Sequence, residues 1–106
     1  MDCNDNIFFI RRYGAISGKV VIYPDIKEIC ISIVIDCGAW GGGYTGGRDA
    51  NLTLGEFSEE YSQIPWTKFA YRIKGYTIRL HNVSIQDNHD KNCANWFKEL
   101  GCIIIE

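Results

Sequence analysis

From Glu28 to Asp36 the chain alternates with a period of two. Ile29, Ile31, Ile33 and Ile35 fall on one face of an extended segment, and Cys30, Ser32 and Val34 fall on the other. A helix would scatter the four isoleucines around its axis, whereas a strand aligns them on one side. Their β-branched side chains reinforce the extended backbone. The second face is also largely apolar, so the segment is expected to be a central strand covered on both sides. A strand of this kind has to be buried in a sheet, and neighbouring segments supply one. Ile7-Phe8-Phe9-Ile10 opens a strand, and Lys19 to Tyr23 forms another after Gly14 and Gly18, which mark a turn or bulge. Pro24-Asp25 fits the second and third positions of a type I turn leading into the isoleucine strand.

The second half mixes periods. Thr53-Leu54-Gly55-Glu56 fits a capping box, and Leu54, Phe57, Tyr61 and Ile64 follow at near-helical spacing. These residues predict a short helix from about Leu54 to Ser62, ended before Pro65. Leu52-Thr53-Leu54 also admits an extended reading. Phe69, Tyr71 and Ile73 alternate, as do Tyr76, Ile78 and Leu80, with Lys74-Gly75 between them. That arrangement predicts a two-residue hairpin with Ile73 opposite Tyr76 and Phe69 opposite Leu80. Asp87-Asn88-His89-Asp90 is rich in capping residues. Cys93, Trp96, Phe97 and Leu100 then repeat as one face of an amphipathic helix closed by Gly101. Cys102 to Ile105 reads as a terminal strand, expected inside the sheet because three exposed isoleucines would invite aggregation.

A length of 106 residues suits one domain with enough core to fold without metal or disulfide. Net charge is −2, spread evenly over residues 1–55 and 56–106, so neither half is basic. Sequence-independent nucleic-acid binders carry a basic stripe, and here Arg11-Arg12 is the one basic pair. Solvent-facing strand charge accounts for it. The start, Met1 to Asn6, lacks the basic and apolar regions of a signal peptide, and no apolar run reaches 18 residues. These features predict a cytoplasmic protein outside the membrane. The five cysteines (Cys3, Cys30, Cys37, Cys93 and Cys102) are odd in number and contain no CxxC. In a reducing compartment they read as separate thiols.

Residues 38–47 hold six of the eleven glycines together with Trp40 and Tyr44. Each glycine costs roughly 0.5–1 kcal/mol of backbone entropy relative to alanine. The run therefore marks either a mobile segment or a backbone shape that only glycine adopts. Gly41 to Gly46 matches GxGxxG after a strong strand, but Gly47 to Asn51 shows no helix to hold a pyrophosphate. Gly42 to Gly47 has P-loop spacing, but Arg48-Asp49 replaces the required Lys and hydroxyl. A wide surface loop is the simpler reading, with Trp40 and Tyr44 either packed inward or offered for contact.

Two histidines limit acid–base chemistry. His81 ends a strand facing outward, and His89 lies where capping and helix-dipole effects account for Asp87 and Asp90. His89, Cys93 and Cys102 would make a zinc set lacking a fourth ligand. No GxSxG or family-type cysteine context occurs. No cofactor or metal is expected.

Glu56, Glu59 and Glu60 form an acidic edge on the first predicted helix, with Asp49 upstream. A solvated helix face explains them, and so does a docking edge for a basic partner, since Trp40, Tyr44, Tyr61 and Trp66 are the residue types of interface hot spots. The whole predicts a mainly-β α+β domain: an antiparallel sheet of about six strands, as a sandwich or half-barrel, with two short helices. An all-β sandwich without the first helix is the runner-up.

In size, acidity, strand-rich pattern and lack of a secretion signal, the chain resembles small bacterial immunity proteins that neutralise nuclease toxins, including those of contact-dependent growth inhibition. The resemblance lies in the profile of the whole chain and not in a motif. It implies a monomeric inhibitor that occludes a basic nuclease domain in a heterodimer. Trp40, Tyr44, Arg48, Asp49, Glu56, Glu59 and Glu60 are then the contact candidates. The alternative is a small enzyme or ligand-binding domain that uses His81 or His89 under a glycine-rich lid. A structural subunit of a larger assembly is a third option.

Overall fold

A computed structural model describes residues 6–13, 16–35 and 52–106 of the chain. Strands β1 (Ile7–Tyr13), β2 (Ile16–Tyr23) and β3 (Glu28–Ile35) form an antiparallel meander. Short strand β4 (Leu52–Thr53) leads into a 3-10 turn (Leu54–Phe57) and a single helical turn, α1 (Glu59–Ser62). Two further 3-10 turns (Trp66–Lys68 and Ala70–Arg72) precede β5 (Thr77–His81) and β6 (Val83–Ser84). Helix α2 (Asn88–Glu99) and strand β7 (Ile103–Ile105) complete the described chain.

The fold is α+β with strands predominating, as the periodicities predict. The predicted all-antiparallel sheet of about six strands is corrected to a mixed sheet of five. Its order is β1-β2-β3-β5-β7, with β5 parallel to both β3 and β7, and a separate parallel pair joins β4 to β6. Strand β3 is central in order, but only one of its faces packs into the core, with Ile33 on that face partly buried. Ile29 and Ile31 are inaccessible, while Cys30, Ser32 and Val34 are half-exposed.

The predicted hairpin does not form. Gly75 does adopt the left-handed turn (φ 79°), but residues 66–72 wind as 3-10 turns instead of extending. Trp66, Phe69 and Ile73 are buried, whereas Tyr71, which strict alternation would bury beside them, is 73% exposed. The 66, 69, 73 spacing is that of a helical winding, and it outweighs the period of two. Strand β7 is likewise corrected from an interior strand to an edge. Among the described residues its single partner is β5, and Ile103 and Ile105 are exposed.

The core lies on one side of the sheet. Ile10, Val20, Ile22, Ile29, Ile31, Ile78 and Leu80 point inward and meet Leu54, Phe57, Trp66, Phe69, Ile73 and Phe97 in one cluster. Gly18, expected at a turn, instead sits within β2, paired with Ile10 and Ile33. The bulge falls between Arg11 and Tyr13. A Cβ on Gly18 would come within 2.5 Å of the Phe57 ring, so the missing side chain makes room for that ring. The first turn also moves by one residue. Pro24 opens it, the Lys27 N–H donates to the Pro24 carbonyl at 3.3 Å, and Lys27 takes a left-handed φ of 56°.

Candidate functional site

Helix α2 begins with a complete capping box. The Asp87 carboxylate accepts from the Asp90 N–H at 2.9 Å, and the Asp90 carboxylate accepts from the Asp87 N–H at 3.1 Å. Asp90 is also the anchor for the segment before it. The oxygen that serves Asp87 also accepts from the Gln86 N–H at 2.8 Å, and the other carboxylate oxygen accepts from the Gly55 N–H at 2.8 Å. Burial of Asp90 pushes its pKa up, but hydrogen bonds from the Gln86 N–H, the Thr53 hydroxyl and the Asp87 and Gly55 N–H groups outweigh that and hold it below the ordinary value. The 54–57 turn is therefore pinned to the start of α2. This corrects the expected capping box at Thr53 to Glu56. The Thr53 side chain makes no capping bond, and its hydroxyl goes to Asp90 instead.

The predicted helix from Leu54 to Ser62 breaks at Ser58, which is extended (φ −65°, ψ 160°). Ser58 caps α1 by accepting from the Tyr61 N–H at 3.3 Å. The break directs Glu59, Glu60 and Tyr61 outward beside α2. Trp66 is drawn inward, where its indole N–H donates to the Phe57 carbonyl at 2.7 Å. Glu59 is held as well, accepting from the Thr67 N–H at 3.1 Å and its hydroxyl at 3.3 Å.

Between α1, the 66–68 turn and α2 lies a hollow of about 160 Å³, lined by Ser58, Glu59, Trp66, Thr67, Cys93, Trp96 and Phe97. Its exposed lining is almost wholly apolar. Phe97 stands edge-on to both Trp66 and Trp96, with ring centroids 5.0 and 5.1 Å apart. Burial, helped by the charge on Asp90, pushes the Cys93 thiol up to about 12. It is thus a neutral apolar wall at physiological pH and not a nucleophile.

His89 packs beside this hollow. Its ring lies 4.7 Å from the Tyr61 ring, and its Nε2 is 3.4 Å from Ser58 Oγ. A serine–histidine pair is the start of a nucleophilic site, but the arrangement goes no further. Among the described residues no carboxylate is hydrogen-bonded to the His89 ring, and the adjacent Asp90 is spent on backbone donors. The considered zinc set does not assemble. Cys102 is buried elsewhere with its thiol on the Ile73 carbonyl at 3.3 Å, and no group of three metal-ligating residues comes together among the described residues. His81 is exposed on β5.

Of the predicted contact residues, Trp40, Tyr44, Arg48 and Asp49 lie outside the described residues, as do the GxGxxG glycines. Glu56 is half-buried on the 54–57 turn, whereas Glu59 and Glu60 are exposed. Tyr61 is 48% exposed, but Trp66 is 2% exposed and belongs to the core, which removes it from the supposed exposed aromatics. Sequence reasoning assigned Cys93 and Trp96 to a buried helix stripe. Their flanking position on that stripe, one step from the fully buried Ala94 and Phe97, is what leaves them half-exposed at the hollow. Among the described residues no helix is long and apolar enough to cross a membrane. Comparison with protein-family models, with curated proteins and with solved structures finds no match.

Proposed function

We propose that this chain is a protein-binding inhibitor that neutralises a cognate nuclease-type toxin in the cytoplasm, as one half of a heterodimer. The observation that carries the reading is the joint exposure of Glu59, Glu60 and Tyr61 on one short turn at the rim of an aromatic hollow. Nucleases hold phosphates with clustered cations, so a fixed acidic edge complements their substrate surface. Apolar hollows beside such charge accept the anchor side chains on which interface affinity concentrates. The Ser58–His89 pair, lacking an orienting carboxylate among the described residues, gives the enzyme alternative less support.

The test is titration of the chain with a panel of purified basic nuclease toxin domains, followed by calorimetry and by nuclease activity. A one-to-one complex with nanomolar affinity and loss of cleavage is expected, as for other inhibitor complexes of standard size. Charge reversal by Glu59→Lys with Glu60→Lys should weaken binding by about tenfold or more, mostly at low salt. An affinity indifferent to both the double reversal and the salt would overturn the assignment of this face. Turnover of a substrate that is lost in His89→Ala would favour the enzyme instead.

A further inference from the structure

Resting on the protein-binding reading, we infer that the hollow beside α2 is a socket for one arginine side chain of the bound protein. Its volume of about 160 Å³ sets the scale. A dry cavity of about 150 Å³ admits a benzene ring, so this space takes a single side chain and not a stretch of backbone.

The rim selects a cation. The Glu59 carboxylate is pinned at both oxygens by Thr67, through its N–H and its hydroxyl. Each oxygen retains a free lone-pair direction, because a carboxylate offers about four acceptor sites. Among the described residues Glu59 has no cationic partner, the one ion pair there being Arg79 with Glu28 on the opposite face of the sheet. An apolar anchor entering the hollow would desolvate this charge without compensation.

The walls select arginine over lysine. Trp66, Trp96, Phe97 and the protonated Cys93 present rings, carbon and sulfur. The indole N–H of Trp66 is already spent on the Phe57 carbonyl. A guanidinium stacks on aromatic faces, is weakly hydrated, and presents a fork that meets a carboxylate in two places. An ammonium is a strongly hydrated point charge that gains less from such walls. The aliphatic stem of the arginine fills the apolar floor.

The experiment uses the full chain and three tripeptides, acetyl-Gly-X-Gly-amide, with X arginine, citrulline or norleucine. Tryptophan indole N–H resonances report occupancy. The arginine peptide should shift the Trp96 signal saturably, with a dissociation constant on the order of 1–10 mM. Citrulline, which keeps the shape without the charge, and norleucine, which keeps only the stem, should bind at least about tenfold more weakly. Glu59→Gln should remove the preference for arginine over citrulline, and Trp96→Leu, read at the Trp66 indole resonance, should weaken all three peptides together. Equal binding of norleucine and arginine, or an unchanged arginine preference in Glu59→Gln, overturns the inference. So does the absence of a saturable shift at about 50 mM arginine peptide. The two readings fail separately. A nuclease complex that forms while the arginine peptide does not bind retains the inhibitor and removes the socket. An arginine-selective hollow in a chain that ignores the nuclease does the reverse.

Discussion

Replacing Asp90 by asparagine tests whether one buried carboxylate ties the 54–57 turn to helix α2. Asp90 is 1% exposed, and three backbone N–H groups donate to it, from Gly55, Gln86 and Asp87. Asparagine has nearly the same shape, so packing is retained and only charge and acceptor pattern change. One of the two head atoms becomes an N–H donor. The better orientation keeps the bonds from Gln86 and Asp87 and sets the new amide against the Gly55 N–H. A hydrogen bond to a charged group is worth about 1.5–3 kcal/mol, and stranding a buried donor costs about 1–3 kcal/mol. The sum, about 2.5–6 kcal/mol, is a large share of the roughly 5–15 kcal/mol that holds a domain together. Urea unfolding followed by tryptophan fluorescence should show a lower midpoint at an unchanged slope. The pH dependence gives a second signature. Because the folded-state pKa lies below the ordinary 3.8, the carboxylate's stabilisation is complete above that value and is lost as pH falls through the depressed folded one. Wild type should therefore weaken below about pH 4, and Asp90→Asn should weaken less steeply there. A loss under about 0.5 kcal/mol, the size of an ordinary surface change, would refute the role assigned to Asp90. An acid slope equal to that of wild type would do the same.

Three other substitutions and labels probe separate parts of the molecule. Gly18→Ala places a Cβ 2.5 Å from the Phe57 ring and 2.8 Å from Ile10 Cγ1. It should cost about 1–3 kcal/mol in thermal unfolding, and Phe57→Leu should recover part of that loss when the two are combined. With its thiol pushed up to about 12, Cys93 should be alkylated by iodoacetamide at pH 8 about a hundredfold or more slower in the folded chain than in urea. Peptide mass spectrometry gives both rates, and equal rates would mean the hollow's wall is not as drawn. Arg79→Ala removes a pair at 3.2 Å on the open sheet face, with the Arg79 side chain 45% exposed. It should change stability by less than about 1 kcal/mol, and a larger effect would reveal a role for that face beyond solvation.

The legible parts of this chain are those where a side-chain pattern has one structural answer. The alternating isoleucines of β3 had to be a strand in a sheet, and the Cys93, Trp96, Phe97 and Leu100 stripe had to be a helix ending at Gly101, whose φ is 86°. The region from Trp66 to Leu80 misled because Phe69, Ile73, Ile78 and Leu80 satisfy two periods at once. Alternation predicted a hairpin, yet Trp66 needed a polar partner for its indole N–H and found it in the Phe57 carbonyl, which favours winding over extension.

Of the candidate site, the acidic residues were visible in the sequence because charge on a short turn has few places to go but outward. The hollow was not visible. It exists because Asp90 reaches thirty-five positions back to Gly55 and Thr67 reaches eight back to Glu59, and neither pairing follows from any local pattern. Local periodicity therefore determined the strands β1 to β3 and the helix α2, since each depends on neighbours a few positions apart. Strand order, the parallel pairing of β5 with β3 and β7, and the aromatic socket were decided only by the tertiary structure. They rest on contacts between residues distant in sequence, whose partners are chosen by packing and by the need of each buried polar group for a mate.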